Sequence, residues 1–149
     1  MIKNATFFRI SNLPATFGPG AADLCFTAFE PCGPTQEKSV GWVPPRGEDH
    51  GALIESVNGQ VVLKLMTEVR KVPAQTLADE VKRRADDIEK TTGRKPGKKE
   101  KREIADDAKL ALLPMAFTAR SSTTVIIDPA SKLVLVDSTT TGKVDEVLT

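Results

Sequence analysis

The sequence is poor in the residues that support catalysis, metal binding and crosslinking. Its 149 residues include one histidine, two cysteines, one tryptophan and no tyrosine. His50, with no second histidine and no nearby cysteine, makes a poor transition-metal site. Cys25 and Cys32 are too few for a disulfide scaffold and are interpreted as reduced thiols, with a redox pair as the alternative. No metal and no cofactor are therefore predicted.

Common catalytic and membrane patterns are also missing. The chain has no GxxxxGK[ST] phosphate loop and no serine nucleophile elbow. Asp49 beside His50 is the one candidate acid–base pair, so an enzyme is a minor alternative and no catalytic residue is predicted. No run of about 18 apolar residues and no signal-peptide pattern occurs, which predicts a cytoplasmic protein without a membrane span. Six phenylalanines and one tryptophan are few for a base-stacking platform.

What the sequence does contain is a series of predicted strands and helices. The predicted strands are Ala5–Ile10, Ala52–Val57, Gln60–Arg70, Thr123–Asp128 and Leu133–Asp137, and short helices are predicted at Ala21–Phe29 and Thr141–Thr149. Asn58-Gly59 favours a tight hairpin. The stretch 39–47, with Trp42 before two prolines, is predicted to be irregular, with the indole packed on the core rather than bound to a ligand.

Two amphipathic helices are predicted within residues 75–113. Apolar residues recur every three or four positions in each helix. They are Leu77, Val81, Ala85 and Ile88 in the first and Ile104, Ala108, Ala111 and Leu112 in the second. Gly93 ends the first helix and Pro114 the second. The whole order predicts one α+β domain over residues 1–149, in which antiparallel hairpins pack with a long helical pair.

The tip of this helical pair, residues 82–102, carries the most biased charge in the chain. It holds ten Lys and Arg against four Asp and Glu, a net charge of +6, whereas the whole chain has +1, which leaves −5 for the rest. A basic tip on an acidic body favours a polyanionic partner. A solvated helical pair of mixed charge is the alternative. Lys and Arg without interleaved aromatics favour phosphate contacts over base reading.

Six short motifs stand in an order that resembles one bacterial family. They are FEPCG at 29–33, GWVPPRG at 41–47, NGQVVLKL at 58–65, GRKPGKKEKREI at 93–104, LLPMAF at 112–117, and IDP followed by LVLVD within 126–137. Together they are similar to the N-terminal half of the recombination-associated protein RdgC family. The resemblance covers nearly the whole chain. Family members are about twice as long, so the second half is expected to be absent, by natural shortening or by truncation.

The resemblance implies a non-catalytic, cytoplasmic and nucleoid-associated α+β protein. Such proteins bind DNA with little sequence preference, duplex included, and modulate homologous recombination by competing with the RecA recombinase for DNA. They form a ring-shaped homodimer with a basic inner surface. A preference for single strands and the oligomeric state of this half stay open. The alternative is a protein-interaction or dimerisation domain that does not itself bind DNA.

Ten residues are predicted to carry these functions. The predicted phosphate contacts are Lys82, Arg83, Arg84, Arg94, Lys95, Lys98, Lys99, Lys101 and Arg102. The last six follow from the GRKPGKKEKR match, and the first three belong to the same basic stretch. Phe117, in LLPMAF, matches a family aromatic at a subunit contact and is predicted to be a dimer contact. Trp42 and the two prolines after it match a family motif that is interpreted as structural.

Overall fold

The computed structural model describes residues 2–12 and 27–149. Its elements are β1 Thr6–Arg9, β2 Lys38–Val43, β3 Glu55–Val57, β4 Gln60–Arg70, α1 Ala74–Thr92, α2 Lys98–Leu112, a 3-10 turn Leu113–Met115, β5 Thr118–Asp128, β6 Leu133–Val136 and α3 Thr141–Leu148. Within these two ranges, no helix combines the length and the hydropathy needed to cross a membrane. The helix predicted at Ala21–Phe29 lies outside the described residues except for 27–29, where Ala28 instead forms a parallel bridge with Trp42.

The described strands form one sheet in the order β1-β6-β5-β4-β2, and β3 pairs with β4 beside this path. The pairs β1–β6, β5–β6 and β3–β4 are antiparallel. Strands joined by short turns, together with grouped helices, make an α+β fold with an antiparallel sheet. The predicted fold class is therefore confirmed.

Turn chemistry explains both predicted hairpins. Asn58 and Gly59 adopt φ values of 51° and 81°, the positive angles that a two-residue hairpin turn needs between β3 and β4. Lys132, with φ 56°, occupies a similar left-handed position between β5 and β6. Strand β5 begins at Thr118 rather than at the predicted Thr123. Its first five residues are exposed and mostly polar, so no apolar alternation marks them as a strand.

The core of the sheet lies on one of its two faces. Alternate residues of β4, β5 and β6 point to that face, and Val144 of α3 packs against them. The buried core residues are Val61, Leu63, Val125, Ile127, Val134, Val136 and Val144. Val136 is completely buried and Leu63 is 2% exposed. Helix α3 therefore covers one side of a half-buried antiparallel sheet.

The prediction of an irregular segment over residues 39–47 is wrong for 39–43, which lie in a strand, and is confirmed for 44–47, which have no regular structure. Residues 38–43 form β2, where the Trp42 N–H donates to the Thr27 carbonyl (2.9 Å) and the Phe29 N–H donates to the Trp42 carbonyl (2.9 Å). A Cβ on Gly41 would lie 2.4 Å from the Phe29 Cα, so only glycine permits this approach. The Trp42 ring packs against the core.

The chain divides into two compact units. The first comprises Met1–Pro31, Ser39–Glu68 and Arg120–Thr149, and the second comprises Cys32–Lys38 and Val69–Ala119. The first contains most of the sheet together with α3. The second contains α1, α2 and the ends of the strands that lead to them.

Arg70 holds the end of α2 within the second unit. Its Nη1 donates to the carbonyls of Ala116 (2.9 Å) and Leu113 (3.3 Å), and its Nη2 donates to the Cys32 carbonyl (3.5 Å). A cation at a helix C-terminus satisfies carbonyls that have no partner within the helix and interacts favourably with the helix dipole. Buried Ile104, Ala108 and Leu113 anchor the same element. The orientation of α2 is therefore set at its far end, away from the basic tip.

Candidate nucleic-acid interface

Two regular helices and a five-residue turn position the basic tip. Helix α1 ends where Gly93 adopts φ 72° and its N–H donates to the Glu89 carbonyl (2.8 Å). Glycine is favoured there because the left-handed conformation is strained for residues with a Cβ. Pro96 is buried in the turn, and α2 begins directly after Gly97. The periodicity-based prediction of two helices broken at Gly93 is confirmed.

Glu100 organises the turn between the two helices. Its carboxylate accepts two hydrogen bonds from Arg94, at 2.8 and 2.9 Å from Nη1 and Nη2, and one from the Gly97 N–H at 2.9 Å. Hydrogen bonds from Arg94, then the one from Gly97, lower the pKa of Glu100 from 4.5 to about 2. The carboxylate also lies at the positive end of the α2 dipole. Arg94 is thus tied to the frame of the tip.

A second ion-pair cluster lies on α1. Glu80 accepts hydrogen bonds from Arg83 (2.8 and 3.0 Å) and Arg84 (2.7 Å), and Arg83 also donates to Asp87 (3.0 Å). The spacings are i,i+3 and i,i+4, which bring side chains together on one helix face. The two arginines lower the pKa of Glu80 to about 2. Both arginines therefore have a carboxylate partner within α1.

The other predicted phosphate contacts are exposed and carry little or no ion pairing. Lys99 is 91% exposed and reaches Glu103 only at 4.0 Å. Five further cations form no ion pair with any residue in 2–12 or 27–149. They are Lys82, Lys95, Lys98, Lys101 and Arg102. Since no carboxylate competes for these five side chains, their charges are available to an external anion.

Four of these five cations lie together around the turn between α1 and α2. Lys98 and Arg102 are four residues apart on α2 and share a face, with Lys101 beside them. Lys95 is in the turn immediately before that helix. Lys82 lies on α1 about 15 Å before the end of that helix at Thr92, given the 1.5 Å rise per residue. Of the nine predicted contacts, four unpaired cations lie close together, three arginines are bound to carboxylates, and Lys82 and Lys99 belong to neither set.

Three exposed large apolar side chains lie around the end of α2. Phe117 is 95% exposed, Met115 73% and Leu110 54%. Leu113, between them, is 1% exposed and fixes the 3-10 turn. An exposed group of large apolar side chains is typical of a protein–protein contact. Phe117, the predicted dimer contact, is the most exposed of the three.

Residues considered for metal or acid–base chemistry are not brought together. In the described ranges, no three His, Cys, Asp or Glu side chains are placed to hold a metal ion. His50 is exposed in a loop with φ 64°, next to exposed Asp49. Cys32 is buried in the second unit, and Cys25 lies outside the described residues.

Sequence reasoning missed Glu80 and Glu100, the two carboxylates that determine which cations are ion-paired. The spacing of Glu80 from Arg83 and Arg84 was a signal that could have identified the first cluster. Glu100 is the third residue of α2, a position from which a glutamate reaches back to the N-terminal backbone. Its pairing with Arg94 across the turn has no comparable sequence signal.

The fold and the charge distribution define an α+β domain that presents a basic helical hairpin. Residues 1–149 match a family model described as "Putative exonuclease, RdgC". The chain is 38% identical to the recombination-associated protein RdgC of Janthinobacterium sp. (strain Marseille) over 150 residues, covering 98% of this chain and 48% of the relative. Identity to the Herminiimonas arsenicoxydans protein of the same name is 37%, with the same coverage. The Bordetella pertussis protein is 32% identical over 148 residues.

The chain therefore belongs to the RdgC family, and the resemblance drawn from the six motifs is confirmed. It spans about half the length of the curated relatives that it matches.

Proposed function

We propose that this chain binds DNA without sequence specificity through its basic helical tip. By occupying DNA, it modulates homologous recombination in competition with the RecA recombinase. The proposed contacts are the phosphates of duplex DNA. The location that this function requires is the bacterial nucleoid in the cytoplasm, and the chemistry is non-catalytic.

One observation carries the proposal: four exposed cations around the turn, Lys95, Lys98, Lys101 and Arg102, form no ion pair with any residue in 2–12 or 27–149. A phosphate contact by Lys95, Lys98, Lys101 or Arg102 breaks no existing ion pair. Contact by Arg83, Arg84 or Arg94 competes with a carboxylate at 2.7–3.0 Å. Among the nine predicted residues, the unpaired ones are therefore proposed as the main contacts. The Arg83 and Arg84 pairs lie within α1, and the Arg94 pair joins the turn to the start of α2.

The charge distribution supports binding that is oriented and sensitive to salt. Five available cations that neutralise about five phosphates give a slope of log K against log salt of roughly −4 to −5. The rest of the chain has a net charge of −5 and repels DNA, so the tip faces the duplex. Phosphate contacts carry no sequence information, which favours non-specific binding.

The recombination role rests on the names of the relatives, which are recombination-associated proteins. Competition for DNA provides a physical route to that role, because a bound tip covers phosphates that a recombinase needs. The test is RecA ATPase activity on single-stranded DNA with increasing amounts of this chain. Inhibition that disappears when the tip is neutralised supports competition, whereas inhibition that persists indicates a direct contact with RecA.

The binding test is fluorescence anisotropy of a labelled mixed-sequence duplex at roughly 50 and 200 mM salt. The triple variant Lys95→Glu, Lys98→Glu and Lys101→Glu is expected to abolish binding. The triple variant Lys3→Glu, Lys71→Glu and Lys143→Glu makes the same change in net charge elsewhere and is the matched control. Equal binding by both variants, with both folded by circular dichroism, would overturn the proposal.

Self-association is a second candidate function, favoured by the exposure of Phe117. Phe117 is 95% exposed, and two further exposed apolar residues, Met115 and Leu110, are close to it in the sequence. A homodimer that buries these side chains would bring two basic tips into one assembly and strengthen DNA binding through multivalency. The alternative in which the domain only assembles, without binding DNA, predicts a salt-insensitive dimer that fails the anisotropy test.

A further inference from the structure

The face of the sheet opposite the core carries an open apolar row. The register pairs Phe7 with Leu135, and Leu135 with Ile126, so these three side chains lie side by side across β1, β6 and β5. Phe7 is 63% exposed, and the other two are partly exposed. An antiparallel sheet with one face on the core usually places polar residues on its other face. Here the outer face carries apolar side chains instead, and the most exposed of them is Phe7 on β1.

The same face contains a cavity of about 160 Å³ beside the Phe7 ring. Its apolar walls are Phe7, Leu133, Leu135 and Ile126, and its polar groups come from Gln60, Asp128 and Ser131. Apolar walls with a few polar groups are the general composition of sites that bind small organic groups. The Phe7 ring supplies a stacking surface, while the amide, carboxylate and hydroxyl supply hydrogen-bonding partners.

Two cations lie on this face, together with the carboxylate of Asp128. Arg9 pairs with Leu133 in the register, so it lies on the same face as Phe7, two residues along β1. Lys64 alternates with buried Leu63 and Leu65 and therefore points to this side as well. Neither cation forms an ion pair with a residue in the described ranges.

Asp128 is the carboxylate in this cavity. It accepts hydrogen bonds from the N–H groups of Ala130 (3.0 Å) and Ser131 (3.3 Å), which partly offset its charge.

We propose that this face, centred on Phe7 and Arg9, binds single-stranded DNA by stacking one unpaired base on the Phe7 ring and holding the adjacent phosphate with Arg9. A ring and a phosphate joined by a short linker match the exposed aromatic and the cation two residues away. Stacking on an aromatic side chain with a cation on the backbone is how sheet surfaces hold single strands. The inference rests on the proposed DNA-binding function and adds a strand-selective site to it.

This site does not contradict the low aromatic content of the chain. A platform for several bases needs several exposed rings, whereas one stacked base needs only Phe7. In a duplex the bases are stacked on each other, so the Phe7 face discriminates single strands from duplex. The basic tip, which contacts phosphates, accepts both.

The test compares labelled oligo-dT and a duplex by anisotropy at one low salt concentration. Phe7→Ala is expected to weaken oligo-dT binding roughly 5- to 150-fold, the range for loss of one stacked base, and to leave duplex binding unchanged. Phe7→Leu keeps an apolar side chain without the ring and is expected to lose nearly as much. Val57→Ala, a truncation at another exposed apolar position, is the control.

A crosslinking measurement keeps the test decisive if the variants fold poorly. Oligo-dT in which one thymine is replaced by 5-iodouracil is irradiated with the wild-type chain and the complex is digested with trypsin. The crosslink is expected in the peptide from Asn4 to Arg9, which contains Phe7. Its absence there, or oligo-dT affinities for Phe7→Leu or Phe7→Ala equal to wild type, would overturn the proposal.

The two DNA proposals fail in different ways. Glutamate substitution of the tip that leaves duplex affinity unchanged refutes the tip but not the Phe7 face. Equal oligo-dT binding by Phe7→Ala and wild type refutes the Phe7 face and leaves the tip intact. A change in sedimentation of Phe7→Ala without a change in oligo-dT affinity would identify the face as a protein contact instead, which also overturns the proposal.

Discussion

Arg94 and Glu100 are joined by two hydrogen bonds, of 2.8 and 2.9 Å, across the turn between α1 and α2. The same carboxylate accepts the Gly97 N–H. The pair withholds one guanidinium from an incoming phosphate while it fixes the first turn of α2, where Lys98, Lys101 and Arg102 are presented. The Arg94–Glu100 pair therefore makes the turn more rigid but reduces the positive charge that is available to DNA.

Glu100→Gln is expected to raise the affinity for duplex DNA and to steepen its salt dependence. The substitution releases Arg94 and removes a negative charge, so one more phosphate contact should make the slope of log K against log salt steeper by about 0.9. Anisotropy titrations at several salt concentrations measure the slope. Glu103→Gln is the control, because the Glu103 carboxylate lies as far as 4.0 Å from the Lys99 ammonium and both side chains are exposed. An unchanged slope for Glu100→Gln would show that Arg94 does not reach the phosphates.

The helical hairpin is expected to lose stability in acid between about pH 4.5 and pH 2. Glu80 and Glu100 have folded-state pKa values of about 2, below the ordinary 4.5. The unfolded chain therefore binds protons first as the pH falls, and the stability present above pH 4.5 is lost as the pH approaches 2. Circular dichroism at 222 nm during chemical denaturation at several pH values measures this loss. The Glu80→Gln and Glu100→Gln double variant should show a shallower dependence, and an identical one would contradict the prediction.

Much of the fold could be predicted because its signals are local. Asn58-Gly59 selects a hairpin turn through the two residues alone, and the stripes of α1 and α2 need only a window of two turns. Strand β2 could not be predicted in this way. It depends on the approach of Phe29 to Gly41, a contact between segments whose sequences show no strand alternation. The start of β5 at Thr118 was missed because residues 118–122 are exposed and show no apolar alternation.

The candidate site was predictable in its location but not in its detail. A charge count identifies residues 82–102 because it sums over the stretch and ignores geometry. The identity of the available cations depends on where Glu80 and Glu100 place their carboxylates, and the Arg94–Glu100 pair depends on the path of the turn. Phe7 was also hidden from sequence reasoning. Its exposure depends on which face of β1 packs on the core, and Phe8 beside it takes the inner position.

Phe117→Ser is expected to weaken self-association without affecting the fold. The side chain is 95% exposed, so its loss creates no cavity, while an aromatic anchor at an interface contributes about 2 kcal/mol or more. The dimer dissociation constant should rise roughly 30-fold in sedimentation equilibrium. Leu148→Ser, at another exposed apolar residue, is the control. A wild-type chain that stays monomeric at every concentration would remove Phe117 as a dimer contact of this half.

We propose that this half acts on DNA by occupying it and not by cleaving it, although its family description includes the word exonuclease. Metal-assisted hydrolysis of a phosphodiester uses ions held by a cluster of carboxylate or histidine ligands. Within residues 2–12 and 27–149, no three His, Cys, Asp or Glu side chains are placed to hold a metal ion. Asp49 and His50 are exposed and belong to no such group. The measurement is release of nucleotides from an end-labelled duplex in Mg²⁺ and in Mn²⁺, with wild type and His50→Ala purified in parallel. Cleavage that co-purifies with the wild-type chain, requires the metal and is lost in His50→Ala would establish an enzyme. An intact substrate with both proteins, under conditions where the duplex is bound, would leave DNA occupancy as the means by which this half acts.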